Sequence, residues 1–219
     1  MNIMRYVTVV IMSSVAIMPC YAAMKSSFVF GDIQNYMDAR KRLQEYQEQQ
    51  HKRIQNGLDL IKSIKSGCWS AIKRAIERGA DLNLRDEDGC AALHYAVASN
   101  ISFMDDSVVK AVIKFLVDKG ADINIQTTQG GKTPLHIAVA KESVSLVAWL
   151  LCLGANSLIK DVDKKAPLYY AQSRLEKLQL SSESTDQAIC NANTIVKMLQ
   201  DYEVSCKKRF GVSQTDDTK

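Results

Sequence analysis

The 219-residue sequence has few of the residues on which catalytic and metal-binding sites depend. It has three histidines and three prolines, aromatic residues make up 7% of it, and its six cysteines form no C-x-x-C pair. A zinc site needs clustered Cys or His ligands, and a nucleophilic site needs a nucleophile beside a general base. No such constellation is found, so the sequence predicts a protein that is not an enzyme and that has no metal and no cofactor.

A large excess of charge of one sign is also absent. The formal net charge is +4, from 28 Lys and Arg against 24 Asp and Glu. Removing an N-terminal leader that contains only Arg5 would leave about +3, which is too little to indicate a nucleic-acid binder by itself. Nucleic acid is therefore an unlikely partner, and any basic surface must come from local clustering.

The N-terminal residues have the layout of a secretory signal peptide. One positive charge at Arg5 precedes the apolar run Val7–Ile17, and small residues follow at Cys20 and Ala22. This pattern predicts a signal peptide over residues 1–22, cleaved between Ala22 and Ala23, and a secreted or periplasmic protein that meets the membrane only transiently. The run is shorter than the roughly 20 residues that span a bilayer. An uncleaved anchor is the alternative.

Cysteine usage gives no disulfide framework. Loss of Cys20 with the leader leaves five cysteines, an odd number, and they are widely scattered. Small apolar side chains that fill helix positions are the favoured interpretation. A bridge between Cys68 and Cys90 is the alternative.

Two short motifs recur along the chain, and a search for repeats comes first because a period of this length decides the fold. The first motif is Gly79-Ala80-Asp81, Gly120-Ala121-Asp122 and Gly154-Ala155-Asn156, at spacings of 41 and 34 residues. The second motif falls between these copies and is Ala91-Ala92-Leu93-His94, Thr133-Pro134-Leu135-His136 and Ala166-Pro167-Leu168-Tyr169. Each unit therefore runs from the tetrapeptide through two short helical patterns to the Gly-Ala pair.

These residues resemble the ankyrin repeat, whose Thr-Pro-Leu-His opens an inner helix and whose Gly-Ala-Asp follows an outer helix. The resemblance implies an all-α solenoid of helix pairs joined by β-hairpin-like turns, preceded here by the signal peptide and a charged helix. It also implies structural roles for His94 and His136, with a network weakened where Ala91, Ala166 and Tyr169 depart from the motif. The chain looks like the secreted ankyrin proteins of bacteria.

The predicted organisation follows the repeat pattern. A charged helical extension covers residues 23–56, the ankyrin-repeat domain covers 57–203, and a flexible tail covers 204–219. The domain divides into an N-terminal cap unit 57–85, repeats 86–126 and 127–160, and a C-terminal unit 161–203. Caps are expected to be atypical because one of their faces meets water.

The segment Asp38–Arg53 is rich in strong helix formers but has a thin apolar stripe. The apolar positions are Ile33, Met37, Leu43, Tyr46 and Ile54. This pattern fits a solvated helix that extends the first cap, which is the favoured interpretation, or a helix that pairs with another chain. The oligomeric state depends on which is correct.

The predicted partner-binding residues are carried over from the positions that the ankyrin family commonly uses for contacts. They are Arg78, Arg85, Glu87, Asp88, Ser99, Lys119, Gln126, Gln129, Lys132, Lys141, Leu153, Lys160, Val162 and Lys165. Basic residues outnumber acidic ones among them, which predicts a positive groove.

The predicted function is therefore non-catalytic binding of another protein, through an acidic segment that is attracted to the basic groove. The alternatives are a scaffold, inhibitor or accessory subunit of a separate enzyme, and a binder of anionic lipid or nucleic acid. Binding to phosphates would weaken steeply as salt rises.

Overall fold

The structure is a computed structural model that describes the backbone of residues 27–98, 106–181 and 185–210, and the side chains of 35–98, 106–181 and 185–205. The predicted signal peptide, Ser99 and the end of the tail lie outside these residues. The described part contains eight α-helices. They are α1 (Ser27–Lys65), α2 (Trp69–Glu77), α3 (Ala92–Ala98), α4 (Asp106–Asp118), α5 (Pro134–Ala140), α6 (Val144–Cys152), α7 (Pro167–Leu180) and α8 (Asp186–Phe210).

The chain divides into two units, residues 1–50 and 51–219. In the first unit, the described residues form the N-terminal part of α1, and every side chain from 35 to 49 is exposed. α1 is one helix across position 56, where the sequence predicted a change from the charged extension to the cap unit. Among the described residues, no helix is both long enough and apolar enough to cross a membrane.

The second unit is a stack of helix pairs. The inner helices α3, α5 and α7 pack against one another in sequence, and the outer helices α4, α6 and α8 form a parallel layer behind them. Leu93, Leu116, Leu135, Leu150 and Leu199 lie between these helices and are fully buried. Burial of such a side chain contributes roughly 1.5–3 kcal/mol, so the core between layers is the main source of stability.

Local sequence explains where the helices begin and end. Thr133 caps α5 by accepting a hydrogen bond from the backbone N–H of His136, and Pro134 occupies the first turn, where its missing N–H leaves no unmet bond. Gly79, Gly120 and Gly154 follow the outer helices with φ of +78°, +100° and +93°. Glycine adopts this left-handed conformation without the steric cost of a Cβ.

Asparagine side chains connect one repeat to the next. The side-chain oxygen of Asn83 accepts from the backbone N–H of Asp122, and that of Asn124 accepts from the N–H of Asn156, both at 2.8 Å. Equivalent positions therefore make equivalent bonds in successive repeats, which fixes the register of the stack.

The two histidines of the tetrapeptide motif make a second connection between repeats. The backbone N–H of Ala91 donates to Nδ1 of His94 at 3.0 Å, and that of Thr133 donates to Nδ1 of His136 at 3.1 Å. Since Nδ1 accepts in both, the ring proton lies on Nε2. Nε2 of His94 then donates to Ile125 and Lys132 carbonyls, each at 3.0 Å, and Nε2 of His136 donates to the Lys165 carbonyl at 3.2 Å.

These bonds confirm the structural roles predicted for His94 and His136. The predicted weakening at Ala91 is only partial, because the backbone N–H of Ala91 supplies the bond although the Thr hydroxyl is missing. In the middle repeat the hydroxyl is present, and Oγ1 of Thr133 lies 2.8 Å from Nδ1 of His136.

The all-α ankyrin solenoid is confirmed. The tryptophans lie between neighbouring repeats, since the ring centroids of Trp69 and Phe115 are 5.2 Å apart and Nε1 of Trp149 donates to the Lys110 carbonyl. α8 continues to Phe210, so helix extends into the segment 204–219 that was predicted as a flexible tail.

The interpretation of the cysteines as buried fillers was wrong at three positions. Cys68, Cys152 and Cys190 are exposed, and Cys90 is half-buried. None of these four forms a disulfide, so the alternative bridge between Cys68 and Cys90 is absent as well. Helical spacing did not reveal this, because each cysteine falls on the outward face of its element.

Burial of the two histidines predicts loss of stability in weak acid. Burial lowers the pKa of His94 and of His136 below the usual value of about 6.5. The unfolded chain therefore takes up protons first, and the free energy of unfolding should fall as pH drops below about 6.5, by up to about 1.4 kcal/mol per pH unit for each proton. Chemical denaturation at intervals between pH 7.5 and 5 measures this slope.

His136→Gln should make the slope shallower, whatever its effect on stability at pH 7.5. His51→Gln is the matched control, because His51 is exposed on α1, and it should leave the slope unchanged. An equal slope in the wild-type chain and His136→Gln would contradict the assignment.

Candidate functional site

Three hairpin segments lie side by side along the stack. In each one the first residue donates its backbone N–H to the carbonyl of the last at 3.0 Å, over Asp86–Cys90, Thr127–Lys132 and Asp161–Lys165. Neighbouring hairpins are joined by bonds from Thr128 N–H to the Gly89 carbonyl at 3.0 Å and from Val162 N–H to the Gly130 carbonyl at 3.3 Å. We call these three segments the hairpin row.

Inner-helix side chains face the hairpins from equivalent positions. Tyr95, Ile137 and Tyr170 each follow the fourth residue of the tetrapeptide motif and are partly buried against the core. The hydroxyl of Tyr95 donates to Asp86 at 2.7 Å and lies 3.0 Å from Asp88, and the hydroxyl of Tyr170 donates to Asp161. The first and third hairpins are thereby tied to α3 and α7, and we call these three side chains the inner-helix row.

Lysine ammonium groups lie over the rings. Nζ of Lys65 is 4.0 Å from the centroid of the Tyr95 ring, Nζ of Lys132 is 5.5 Å from that of Tyr170, and Nζ of Lys165 is 4.7 Å from that of Tyr169. A cation over an aromatic face is attracted by the ring quadrupole. The surface therefore combines positive charge with flat aromatic area along the stack.

The tyrosine hydroxyls remain protonated donors at neutral pH. The hydrogen bond to Asp161 and burial raise the pKa of Tyr170 to about 12. Burial by itself would raise the pKa of Asp161, but hydrogen bonds from Tyr170 and from the Lys165 and Asp163 amides outweigh it and hold that pKa below its usual value. Burial and hydrogen bonds to Asp86 and Asp88 likewise raise the pKa of Tyr95.

Three predicted residues lie at the C-terminal ends of the outer helices. Arg78 and Leu153 are the C-cap residues of α2 and α6, and Lys119 directly follows α4. Leu153 packs partly into the core. Lys119 lines a cavity of about 620 Å³ together with Arg53 and residues of α2, away from the hairpin segments.

Three other predicted residues hold the repeats together. Nε of Arg85 donates to the Gln126 carbonyl at 2.9 Å, and Nε2 of Gln126 donates to the Lys160 carbonyl at 3.1 Å. Nζ of Lys141 donates to the Val97 and Ala98 carbonyls at the end of α3. Burial lowers the pKa of Lys141, although Asp106 opposes the shift. These side chains have structural partners, and whether they also contact another protein stays a prediction.

The remaining predicted residues lie in or beside the hairpin row. Ser99 is outside the described residues. The others are Glu87, Asp88, Gln129, Lys132, Lys160, Val162 and Lys165, of which all but the half-buried Lys165 are exposed.

Sequence reasoning missed Lys65, Tyr95, Tyr169 and Tyr170. A usable signal existed for two of them, since an Asp nine residues before a Tyr occurs in the first and third repeats. The middle repeat lacks it, because its hairpin begins at Thr127, ten residues before Ile137. No motif marked Lys65, because it belongs to α1 and comes 30 residues before the ring it contacts.

The described residues contain no group of three or more His, Cys, Asp or Glu side chains arranged to hold a metal ion. Tyr95 and Tyr170 bind carboxylates of the first and third hairpins, and Lys132 lies over the ring of Tyr170. The two rows together form an extended surface that a partner could contact.

Comparison with known proteins identifies the repeats. A model of an ankyrin repeat matches residues 88–128, and a model of multiple ankyrin repeats matches residues 109–151. The B-cell lymphoma 3 protein homolog of Mus musculus is 32% identical over 51% of this chain and 23% of its own length. The I-Kappa-B like protein H1 of Microplitis demolitor bracovirus is 34% identical over 39% of this chain and 43% of its own length.

A third relative is an enzyme by name. Palmitoyltransferase Hip14 of Drosophila melanogaster is 26% identical over 49% of this chain and 16% of its own length, and the match lies in its ankyrin repeats only. The chain thus spans less than half of the length of each of these three relatives.

A positive φ at the third hairpin predicts a stabilising substitution. Lys164 has φ +60°, and Gly89 occupies the equivalent position in the first hairpin with φ +72°. Because a Cβ is costly in this conformation, Lys164→Gly should raise the free energy of unfolding by roughly 0.5–1 kcal/mol, even after the greater entropy of glycine in the unfolded chain. Urea denaturation at pH 7.5 measures the change.

Asp163→Gly is the matched control, since Asp163 is the neighbouring exposed residue and does not have a positive φ. It should lower the free energy of unfolding. Destabilisation by both substitutions would show that the conformation at Lys164 carries no strain.

Proposed function

Because this chain belongs to the ankyrin-repeat family, whose repeats are protein–protein interaction modules, we propose that it is a non-catalytic module that binds an acidic segment of another protein. The binding surface is formed by the hairpin row and the inner-helix row. Repeat stacks commonly use such extended faces for partners.

The observation that carries the proposal is the alignment of lysines over tyrosines. Lys65 and Lys132 lie over the rings of Tyr95 and Tyr170, and Lys165 lies over Tyr169. The Tyr169 ring is 49% exposed, which leaves an aromatic face for a partner to cover. Aromatic side chains and positive charge held in fixed positions suit a partner that presents carboxylates beside apolar groups.

The charges of this surface favour an acidic partner. Asp86 and Asp161 accept hydrogen bonds from tyrosines, and Asp86 is also paired with Lys65 at 3.3 Å. Lys132, Lys160 and Lys164 are exposed, as are Glu87, Asp88 and Asp163. At the second and third hairpins the exposed lysines outnumber the exposed carboxylates, so an acidic segment is attracted to this end of the surface, and the attraction speeds its encounter.

Selection of a random peptide display library against the immobilised full chain tests the proposal. The wild-type chain should enrich peptides that combine Asp or Glu with apolar or aromatic residues. The variant Lys132→Glu/Lys160→Glu/Lys165→Glu should lose these peptides, because the three changes replace positive by negative charge in and beside the second and third hairpins.

The matched control is Lys73→Glu/Arg78→Glu/Lys119→Glu, which changes the net charge by the same amount at the outer helices. It should retain the selected peptides. Equal loss in both variants would show attraction by net charge alone, and equal retention in both would place the binding site elsewhere. Retention only of nucleic acid or anionic lipid, with steep salt dependence, would overturn the proposal.

We also propose that the chain is exported through its N-terminal signal peptide, on the sequence pattern described above. Expressed in a Gram-negative bacterium, the protein should appear in the periplasmic fraction, with Ala23 as its first residue by N-terminal sequencing. Ala22→Tyr should block cleavage, because a small residue is needed before the cut, whereas Met24→Tyr should be processed. A cytoplasmic chain that begins at Met1 would contradict this proposal.

A further inference from the structure

The N-terminal part of α1 has large apolar side chains that are exposed to solvent. All fifteen side chains from 35 to 49 are exposed, and Tyr36, Leu43 and Tyr46 have exposed fractions of 68%, 57% and 60%. Exposed apolar groups in a contiguous set often mark an interaction site. Most helical stability in proteins comes from packing of an amphipathic face, so a partner that covers these side chains would stabilise this part of α1.

The spacing of these side chains is that of a coiled-coil seam. Tyr36, Ala39, Leu43, Tyr46 and Gln50 follow one another at intervals of three, four, three and four residues. This alternation places all five on one face of a helix, at the positions that insert between side chains of a second helix. We call these five residues the α1 seam.

The residues that border the seam are basic or neutral. Arg40 and Arg42 lie on either side of it, and Gln47 and Gln49 continue the two borders one heptad later. Such border positions form ion pairs between helices and determine which partner is chosen.

The acidic residues of this segment lie on the opposite side of the helix. Asp38, Glu45 and Glu48 each follow a seam residue by two positions, and Glu45 is paired with Lys41 at 3.9 Å on that outer face. The charge of the helix is therefore sorted, with arginines beside the apolar seam and carboxylates away from it.

We propose that the α1 seam binds an amphipathic helix of another protein whose own apolar seam is bordered by Asp or Glu. An acidic partner pairs both Arg40 and Arg42 while it covers Tyr36, Leu43 and Tyr46. A second copy of this chain brings only arginine and glutamine borders, so it supplies no carboxylate to either arginine. This surface is separate from the hairpin row, and it does not depend on the function proposed for that row.

Fluorescence anisotropy with synthetic helical peptides tests the proposal on the full chain. One labelled three-heptad peptide has Leu at its seam positions and Glu at its border positions, and the second has Lys in place of each Glu. The Glu-bordered peptide should bind and the Lys-bordered peptide should not. Arg40→Glu/Arg42→Glu should weaken binding of the Glu-bordered peptide by at least about tenfold and should gain binding of the Lys-bordered one.

Lys41→Glu/Lys52→Glu is the matched control, because it makes the same change of charge on the outer face. It should leave the affinity within about twofold. Circular dichroism of each variant reports whether α1 stays helical, and the exchange of peptide preference cannot arise from lost helicity. Leu43→Asp should abolish binding of the Glu-bordered peptide, because it places a carboxylate in the apolar seam.

Three results would overturn the proposal. One is equal affinity for the two peptides in the wild-type chain. Another is a dimer in light scattering of the wild-type chain that Leu43→Asp converts to a monomer, which would assign the seam to a second copy. The third is binding to phosphatidylserine vesicles that Leu43→Asp abolishes while the wild-type chain ignores both peptides.

Discussion

The hydrogen bond from a buried imidazole to the next hairpin is the interaction on which the rest of the repeat stack depends. His94 accepts a hydrogen bond at Nδ1 from the Ala91 amide of its own repeat, and its Nε2 donates to the carbonyl of Ile125, just before the next hairpin, and to that of Lys132, at the end of it. His136 repeats this arrangement toward Lys165. Apolar burial between the layers is non-directional, so it favours stacking without fixing the offset between neighbours. The imidazole bonds, with Asn83 and Asn124, select one offset.

This offset determines which side chains lie next to one another on the accessible face of the stack. When successive hairpins are in register, the residue after the fourth motif position falls at the same level in each repeat, and Tyr95, Ile137 and Tyr170 form one row. The Asp partners of the two tyrosines then hold the hairpins against the inner helices, and Lys132 from the second hairpin reaches the ring of Tyr170 in the third repeat. The candidate binding surface is thus a consequence of the same bonds that build the stack.

Features marked by motifs that recur along the chain could be predicted from the sequence, whereas contacts between segments far apart in the chain could not. The Gly-Ala pairs and the tetrapeptides gave the repeat fold and the roles of both histidines. Carry-over of contact positions was less informative, because it cannot tell that Lys119 lies at the end of an outer helix or that Gln126 is engaged with the next repeat. Lys65 was missed since it reaches Tyr95 from another helix, and the exposure of Cys152 depends on which face of α6 is covered.

Tyr169 stands where the third repeat would need its imidazole, and that replacement sets a limit on assembly. A phenol at this position has no counterpart of Nδ1 to receive the amide proton of its own repeat, and its ring is instead exposed beside Lys165. The third repeat therefore offers no imidazole donor to a further hairpin, and α8 packs against α7 and α6 as the last outer helix of the described stack. Apolar contact alone would not select the offset of an added repeat. One tyrosine in place of histidine thereby removes the directional bond by which the stack could be extended in register.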